Sequence, residues 1–416
     1  MTVHKASTFN FKFSSMFLVA LLVCMPYLMV LPLDAEAQPL YIFPMLLILL
    51  RKLLVPRWFV IFCSLLLIFT ILGIIHYEPS DVLDSFIAIL CPIIIYYFVR
   101  NSDVIKLAKN ILVFLYFYLT VALIQQYVPL GISETLLGWL SYFIPRITLS
   151  PLSEFDRGIS IVASEPSSMA PLIFMMIAVA FFLYKNKEIS RRYLIISLFI
   201  SIYLGFLTQS ITFYVITFYM VVGFASFYFL QLSARTIATV LLVPLIFYAV
   251  LASNILPERL MDFASIATID TNDTLIALNE LSGSRLGITF GPYCNLFNFG
   301  EYYFGLGAWS QNFLQATSCL PIDLTQTSYF ITHDLQNVKP GSLPSLLIVD
   351  VGIFALIIFF ILIIFLNRSF KESKRDRNPI TFGLVSASII SIILGGFPLT
   401  VPSFWLTVSI FLSKKS

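Results

Sequence analysis

The chain has 416 residues, of which 59% are hydrophobic and only 11% charged, with a formal net charge of +3. Water-soluble globules carry about 25% charged residues, so this balance, with a mean hydropathy of +0.93, excludes a soluble enzyme and predicts an all-α polytopic membrane protein. The small positive excess gives no reason to expect a nucleic-acid partner.

A helical crossing of the bilayer needs roughly 20 apolar residues. Runs approaching that length begin near Phe13, Pro39, Trp58, Val82, Ile111, Ser167, Tyr193, Ile211, Thr236, Leu343, Thr381 and Pro402, which predicts about 12 transmembrane helices. The second run (Leu40 to Leu54) and the twelfth (Pro402 to Leu412) are short, so tilt or interfacial residues complete them. The first run, Phe13 to Leu33, follows Lys5 and Lys12 and precedes Ala35-Glu36-Ala37, which imitates a signal peptide. It is longer than the 7 to 15 residues of a signal-peptide core, so an uncleaved first helix is the favoured reading. The chain then divides into helices 1–5 (1–128), a first long connection (129–166), helices 6–9 (167–252), a large connection (253–342) and helices 10–12 (343–416).

Charge fixes the predicted topology independently of hydropathy. Twenty of the 25 Lys and Arg residues fall in alternate connections and both termini: Lys5 and Lys12, Arg51 to Arg57, Arg100 to Lys109, Lys185 to Arg192, Arg235, Arg368 to Arg377, and Lys414 with Lys415. Cytoplasmic loops collect Lys and Arg, so this set is predicted inside, with both termini cytoplasmic. Arg146, Arg157, Arg259, Arg285 and Lys339 are then outside. Both long connections lie on that outer side, and the larger spans roughly 90 residues where a usual connection has about 4–6, a length associated with function. The first contains an apolar stretch, Leu136 to Ile144, predicted to be an interfacial or re-entrant helix.

The cysteines divide by the same topology. Cys24, Cys63 and Cys91 fall in predicted spans, as small buried hydrophobes. Cys294 and Cys319 share the large outer connection, where they either pair in an oxidising compartment or remain thiols.

Three outer elements have chemical potential. Asp156-Arg157-Gly158 precedes Ala163-Ser164-Glu165-Pro166-Ser167, a helix-start signal with proline in the first turn. The following helix is predicted to run inward, so its N-terminus, with unpaired N–H groups and the positive end of the macrodipole, suits phosphate. Arg157 would add bidentate contacts; alternatively it pairs with Asp156 or Glu154, and Ser-Glu-Pro only caps a helix. The second element is Ser282-Gly283-Ser284-Arg285, followed by Phe304-Gly305-Leu306-Gly307. The third is Thr332-His333-Asp334, whose histidine is the only one in either long connection and has a pKa range suited to acid or base work. Aromatic residues, among them Tyr293, Tyr302, Tyr303 and Trp309, crowd the second half of the large connection, either as sugar-stacking surfaces or as packing. No HExxH, Cys/His cluster or DxD pair appears outside, so no metal site is expected. No glycine loop with Lys and Ser/Thr is present for nucleotide phosphates.

Taken in order, these elements resemble the O-antigen polymerase and ligase superfamily of bacterial membranes, over nearly the whole chain. The Arg-Gly to Ser-Glu-Pro-Ser form at Arg157 to Ser167 is more similar to the polymerase branch. Two departures weaken the ligase likeness: His333 is followed by Asp334 where the ligases have Asn, and Gln209-Ser210-Ile211 stands where Ser-Arg is often found. The resemblance implies a glycosyltransferase of the polytopic C superfamily, without metal or other cofactor, at the periplasmic face of the inner membrane. Its substrates would be undecaprenyl-diphosphate-linked oligosaccharides, with membrane lipid around it and a chain-length regulator and flippase as pathway partners. Arg157 and Arg285 become the expected pyrophosphate ligands, His333 or Glu165 the base, and Tyr293, Tyr302, Tyr303 and Trp309 the possible sugar contacts. The rival readings are a ligase moving polymer to the lipid A core, and a lipid-linked oligosaccharide flippase. A transporter would be expected to show two related halves and ionisable residues at midmembrane, whereas Asp84 and Asp350 are the only acids near spans and both lie near predicted outer ends.

Overall fold

A computed structural model describes residues 15–30, 37–50, 57–144, 147, 158–230, 285–294, 304–317, 340–395 and 400–412. Within them every regular element is a helix, with no strand. The first helices in chain order are α1 (Ser15–Cys24), α2 (Ile42–Leu50), α3 (Arg57–His76), α4 (Pro79–Asn101), α5 (Val104–Tyr127) and α6 (Leu130–Ser141). Then come α7 (Pro166–Lys185), α8 (Arg191–Leu207), α9 (Ile211–Phe229), α10 (Arg285–Cys294) and α11 (Trp309–Thr317). The last group is α12 (Leu343–Val351), a 3-10 turn (Gly352–Ala355), α13 (Leu356–Arg375), α14 (Pro379–Leu394) and α15 (Ser403–Leu412).

Five helical stretches are long and apolar enough to cross a bilayer: α4, α5, α7, α9 and the stretch Leu343–Arg375. Outward faces are apolar as well. Ile75 on α3 is 65% exposed, Phe199 on α8 71% and Phe360 on α13 65%. A water-exposed protein cannot carry such contiguous apolar faces without aggregating, so the chain is a helical membrane protein.

Eleven of the predicted runs correspond to helices, and the run beginning near Thr236 lies outside the described residues. Three differences have local causes. The first helix stops at Cys24, because Pro26 disfavours helical backbone in the residue before it and brings no N–H of its own. α6 begins at Leu130, earlier than the apolar stretch that predicts it. Its polar residues are absorbed locally: Ser133 Oγ donates to Leu130 O at 2.9 Å and Thr135 Oγ1 to Gly131 O at 2.8 Å. The run predicted to begin near Leu343 is broken as a helix at Gly352, whose φ is +58°.

α7 forms the axis of the bundle. It is buried over nearly its full length and packs against α5, α8, α9 and α15. α15 runs parallel to it, since Phe174 meets Phe404 with ring centroids 6.0 Å apart and, further along both helices, Phe182 meets Phe411 at 5.9 Å. Among the described residues α9 packs extensively against α14 and meets it at small residues, and a Cβ on Gly223 would lie 2.7 Å from that of Ser386.

The connections sort to two ends. Lys109 near the start of α5 pairs with Glu188 in the α7–α8 turn at 2.7 Å, and Lys185 at the end of α7 pairs with Asp376 after α13 at 2.8 Å. These three regions all belong to the predicted cytoplasmic set. At the opposite end the chain enters α7, α5 finishes, and α8 turns into α9.

Candidate functional site

The end where α7 begins is assembled from the segment Gly158 to Glu165. This segment is not helical, yet Ile159, Ser160, Ile161, Val162 and Ala163 are all fully buried. Its polar backbone therefore needs partners inside the protein. Ile159 N–H donates to Leu207 O at 3.1 Å, and Ala163 N–H to Ser160 O at 2.9 Å. Gly158 lies so close to the backbone of Leu207 and Thr208 that an added Cβ would strike the carbonyl of Thr208. Here the glycine of Arg157-Gly158 is needed for close approach to the α8–α9 turn.

The segment is also held from α5. Gln125 is 0% exposed, and its amide spans one residue of the segment. Its Oε1 accepts from Ile161 N–H at 3.0 Å, and its Nε2 donates to Ile161 O at 3.1 Å. Ile161 has φ +55°, an outlier for a β-branched residue. Sequence pattern does not single out Gln125, which is the first of two adjacent amides, Gln125 and Gln126, near the end of an apolar run.

Glu165 is the N-cap of α7 and makes no side-chain cap bond, while Pro166 occupies the first turn. The Ser167 hydroxyl donates to Glu165 Oε2 at 3.4 Å. One turn on, Tyr27 O–H donates to Ser168 O at 3.0 Å, tying the chain after α1 to the start of α7. Ser164, and Ser210 at the N-cap of α9, each bury a hydroxyl with no hydrogen-bond partner among the described residues. The N-termini of α7 and α9 thus lie at one end, each with the positive dipole that favours an anion, although Pro166 has no N–H and the Ser168 and Phe213 N–H groups already donate to the Glu165 and Ser210 carbonyls.

The second element is partly described, and the third lies outside the described residues. Arg285 opens α10, which docks on the start of α12: Gly341 N–H donates to Ile288 O at 3.2 Å, and Ser345 Oγ donates to Thr289 O. Tyr293 is half-buried and its hydroxyl donates to Ile393 O at 3.1 Å, at the end of α14. Burial raises the Tyr293 hydroxyl above its usual pKa, opposed by hydrogen bonds from Ser342 and Ser345. Arg157, Tyr302, Tyr303 and His333 lie outside the described residues, as does Cys319. Glu165 and the backbone after Arg157 are therefore brought together, and His333 is not placed.

The Gly-x-Gly segment is locked into the helices. Gly305 N–H donates to Asp350 O at 2.8 Å and Leu306 N–H to Phe69 O at 3.1 Å. Ser85 Oγ accepts from both Gly307 N–H at 3.2 Å and Trp309 Nε1–H at 3.0 Å, while Trp309 N–H donates to Asp350 Oδ1 at 3.2 Å. Trp309 is only 6% exposed, so its ring packs in the interior. Asn312 Nδ2 donates to Tyr77 O–H at 3.1 Å. Burial raises the Tyr77 hydroxyl above its usual pKa; the Asn312 bond opposes this and Asp350 adds to it. Among the described residues no group of three His, Cys, Asp or Glu side chains is placed to hold a metal ion.

No family model matches the chain, and no curated protein or solved structure is significantly similar to it.

Proposed function

We propose that this chain is a metal-independent glycosyltransferase that polymerises undecaprenyl-diphosphate-linked repeat units at the periplasmic face of the bacterial inner membrane. Twelve spans and two cytoplasmic termini belong to that reading. The observation that carries it is the non-helical segment after Arg157, pinned by Gly158 and Gln125 so that it delivers Glu165 to the N-terminus of α7. A buried loop held this firmly and aimed at a helix N-terminus suits a group that must bind charge in a fixed place.

The chemistry is a displacement at the anomeric carbon of the donor glycan. An acceptor hydroxyl of the incoming lipid-linked unit forms the new C–O bond, and the bond from that carbon to the pyrophosphate oxygen breaks. Undecaprenyl diphosphate departs with the electron pair. His333 or Glu165 takes the hydroxyl proton, and Arg157, Arg285 and the α7 N-terminus hold the pyrophosphate charge. Since the leaving group is already good, positioning and charge stabilisation are what the protein supplies.

The test is the size ladder of surface glycan from a host lacking the gene and from the same host with it restored. Loss of the ladder with survival of core bearing one repeat unit is the expected result. Polymer stranded on the lipid carrier would mean a ligase, and absence of repeat units from the outer face a flippase. Inserted Arg157→Ala, Arg285→Ala and His333→Ala chains are expected to lose polymer, and Arg285→Lys to be only partly impaired, because lysine offers a point charge where arginine offers a fork. Full-length polymer from all three alanine variants would remove the site assignment.

A further inference from the structure

We infer that Gln125 is a positioning residue for the α7 N-terminus, acting through the backbone of Ile161. Its carboxamide matches one donor and one acceptor to the N–H and C=O of a single residue, at 3.0 and 3.1 Å, with neither group exposed. The residue so gripped is a β-branched one at φ +55°. Such a conformation persists only where the surroundings over-determine it, and it concentrates at functional sites. An apolar side chain would fill the same space on α5 and leave the peptide group of Ile161 buried without partners. The amide therefore sets conformation as well as filling volume. Four residues further on the chain reaches Glu165, so a change in the backbone at Ile161 is transmitted to the N-cap and the first turn of α7.

This role rests on the polymerase reading, and one experiment separates the two. Membrane vesicles bearing the full chain receive undecaprenyl-diphosphate-linked repeat units extracted from the host that lacks the gene. Polymer formation is followed across pH for the parent, Gln125→Leu and Gln125→Glu at equal amounts of inserted protein. A protonated carboxyl offers one O–H donor and one acceptor oxygen, as the amide does, whereas a carboxylate only accepts. Gln125→Leu is expected to polymerise about tenfold or more slowly than the parent at every pH, from the loss of two buried hydrogen bonds. Gln125→Glu is expected to match the parent at low pH and fall to the Gln125→Leu level as the introduced carboxyl ionises. Tyr27, Glu134, Glu165 and Tyr203 lie on or beside the elements packed against α5 and are the same in parent and variants, so the parent profile is the baseline.

The positioning role is overturned if Gln125→Leu keeps the parental rate, or if Gln125→Glu shows no pH dependence beyond the parent's. It is also overturned if neither variant inserts, since Gln125 would then serve folding alone. A parent chain that forms no polymer from these units sinks the polymerase reading, and this role with it.

Discussion

Gly352 adopts φ +58° and ψ −130°, a combination that only glycine populates freely, and this one residue breaks a helix that would otherwise continue from Leu343 to Arg375. Its missing side chain serves a second purpose. An added Cβ would sit 2.9 Å from Cε1 of Phe304, the residue that leads into the Gly-x-Gly segment. These two reasons for glycine are separable. Gly352→Ala is expected to lower the thermal unfolding midpoint in detergent. Phe304→Ala clears the space and leaves the backbone angle untouched, so Gly352→Ala made in that background should still cost about 1–3 kcal/mol of strain. A Gly352→Ala effect that vanishes once Phe304 is truncated would show that ring packing alone demands the glycine.

At the scale of elements, the Gly305–Trp309 segment is a buckle between the large connection and the bundle, and Ser85 is its clasp. One hydroxyl oxygen serves two donors, Gly307 N–H and the Trp309 indole. Ser85→Ala orphans both, at about 1–3 kcal/mol for each buried donor left unsatisfied. Trp309→Phe removes one of the donors itself, so in that background Ser85→Ala orphans only the other. The two substitutions are therefore expected to cost less together than the sum of each alone in unfolding measurements. Strict additivity would mean that the indole and the serine do not interact. This buckle also bears on the transporter reading. Asp350 lies near the end of an apolar run, away from the midmembrane position where an acid suggests a transport pathway. It is fully buried, and it accepts the backbone N–H of Trp309 through its side chain and that of Gly305 through its carbonyl. An acid engaged in docking a loop has a structural duty that hydropathy cannot reveal.

Across the whole molecule, what was legible in the sequence is what depends on composition and period. Apolar runs mark most of the helices because a membrane solvent imposes length and hydrophobicity on any crossing. The Ser-Glu-Pro start of α7 was legible because proline and a capping position act locally. Gln125, Ser85 and the break at Gly352 were not, since each depends on a partner 36, 222 or 48 residues away in the chain. The two ends of the bundle are where sequence and structure meet most usefully. The ion pairs Lys109 with Glu188 and Lys185 with Asp376 gather three basic connections at one end, and the α7 N-terminus lies at the other. If the basic end is cytoplasmic, as the charge bias predicts, then single cysteines in a chain stripped of its native ones should report it. Tyr142, 85% exposed after α6, lies at the α7-start end, and Lys374, exposed in the last turn of α13, at the basic end. Tyr142→Cys is expected to react with an impermeant maleimide on intact spheroplasts, and Lys374→Cys only after the membrane is opened. The reverse pattern would open the α7 N-terminus to the cytoplasm. A polymerase acting on units already carried to the outer leaflet could not then reach its substrate from this site, and the proposed activity would fall with the orientation.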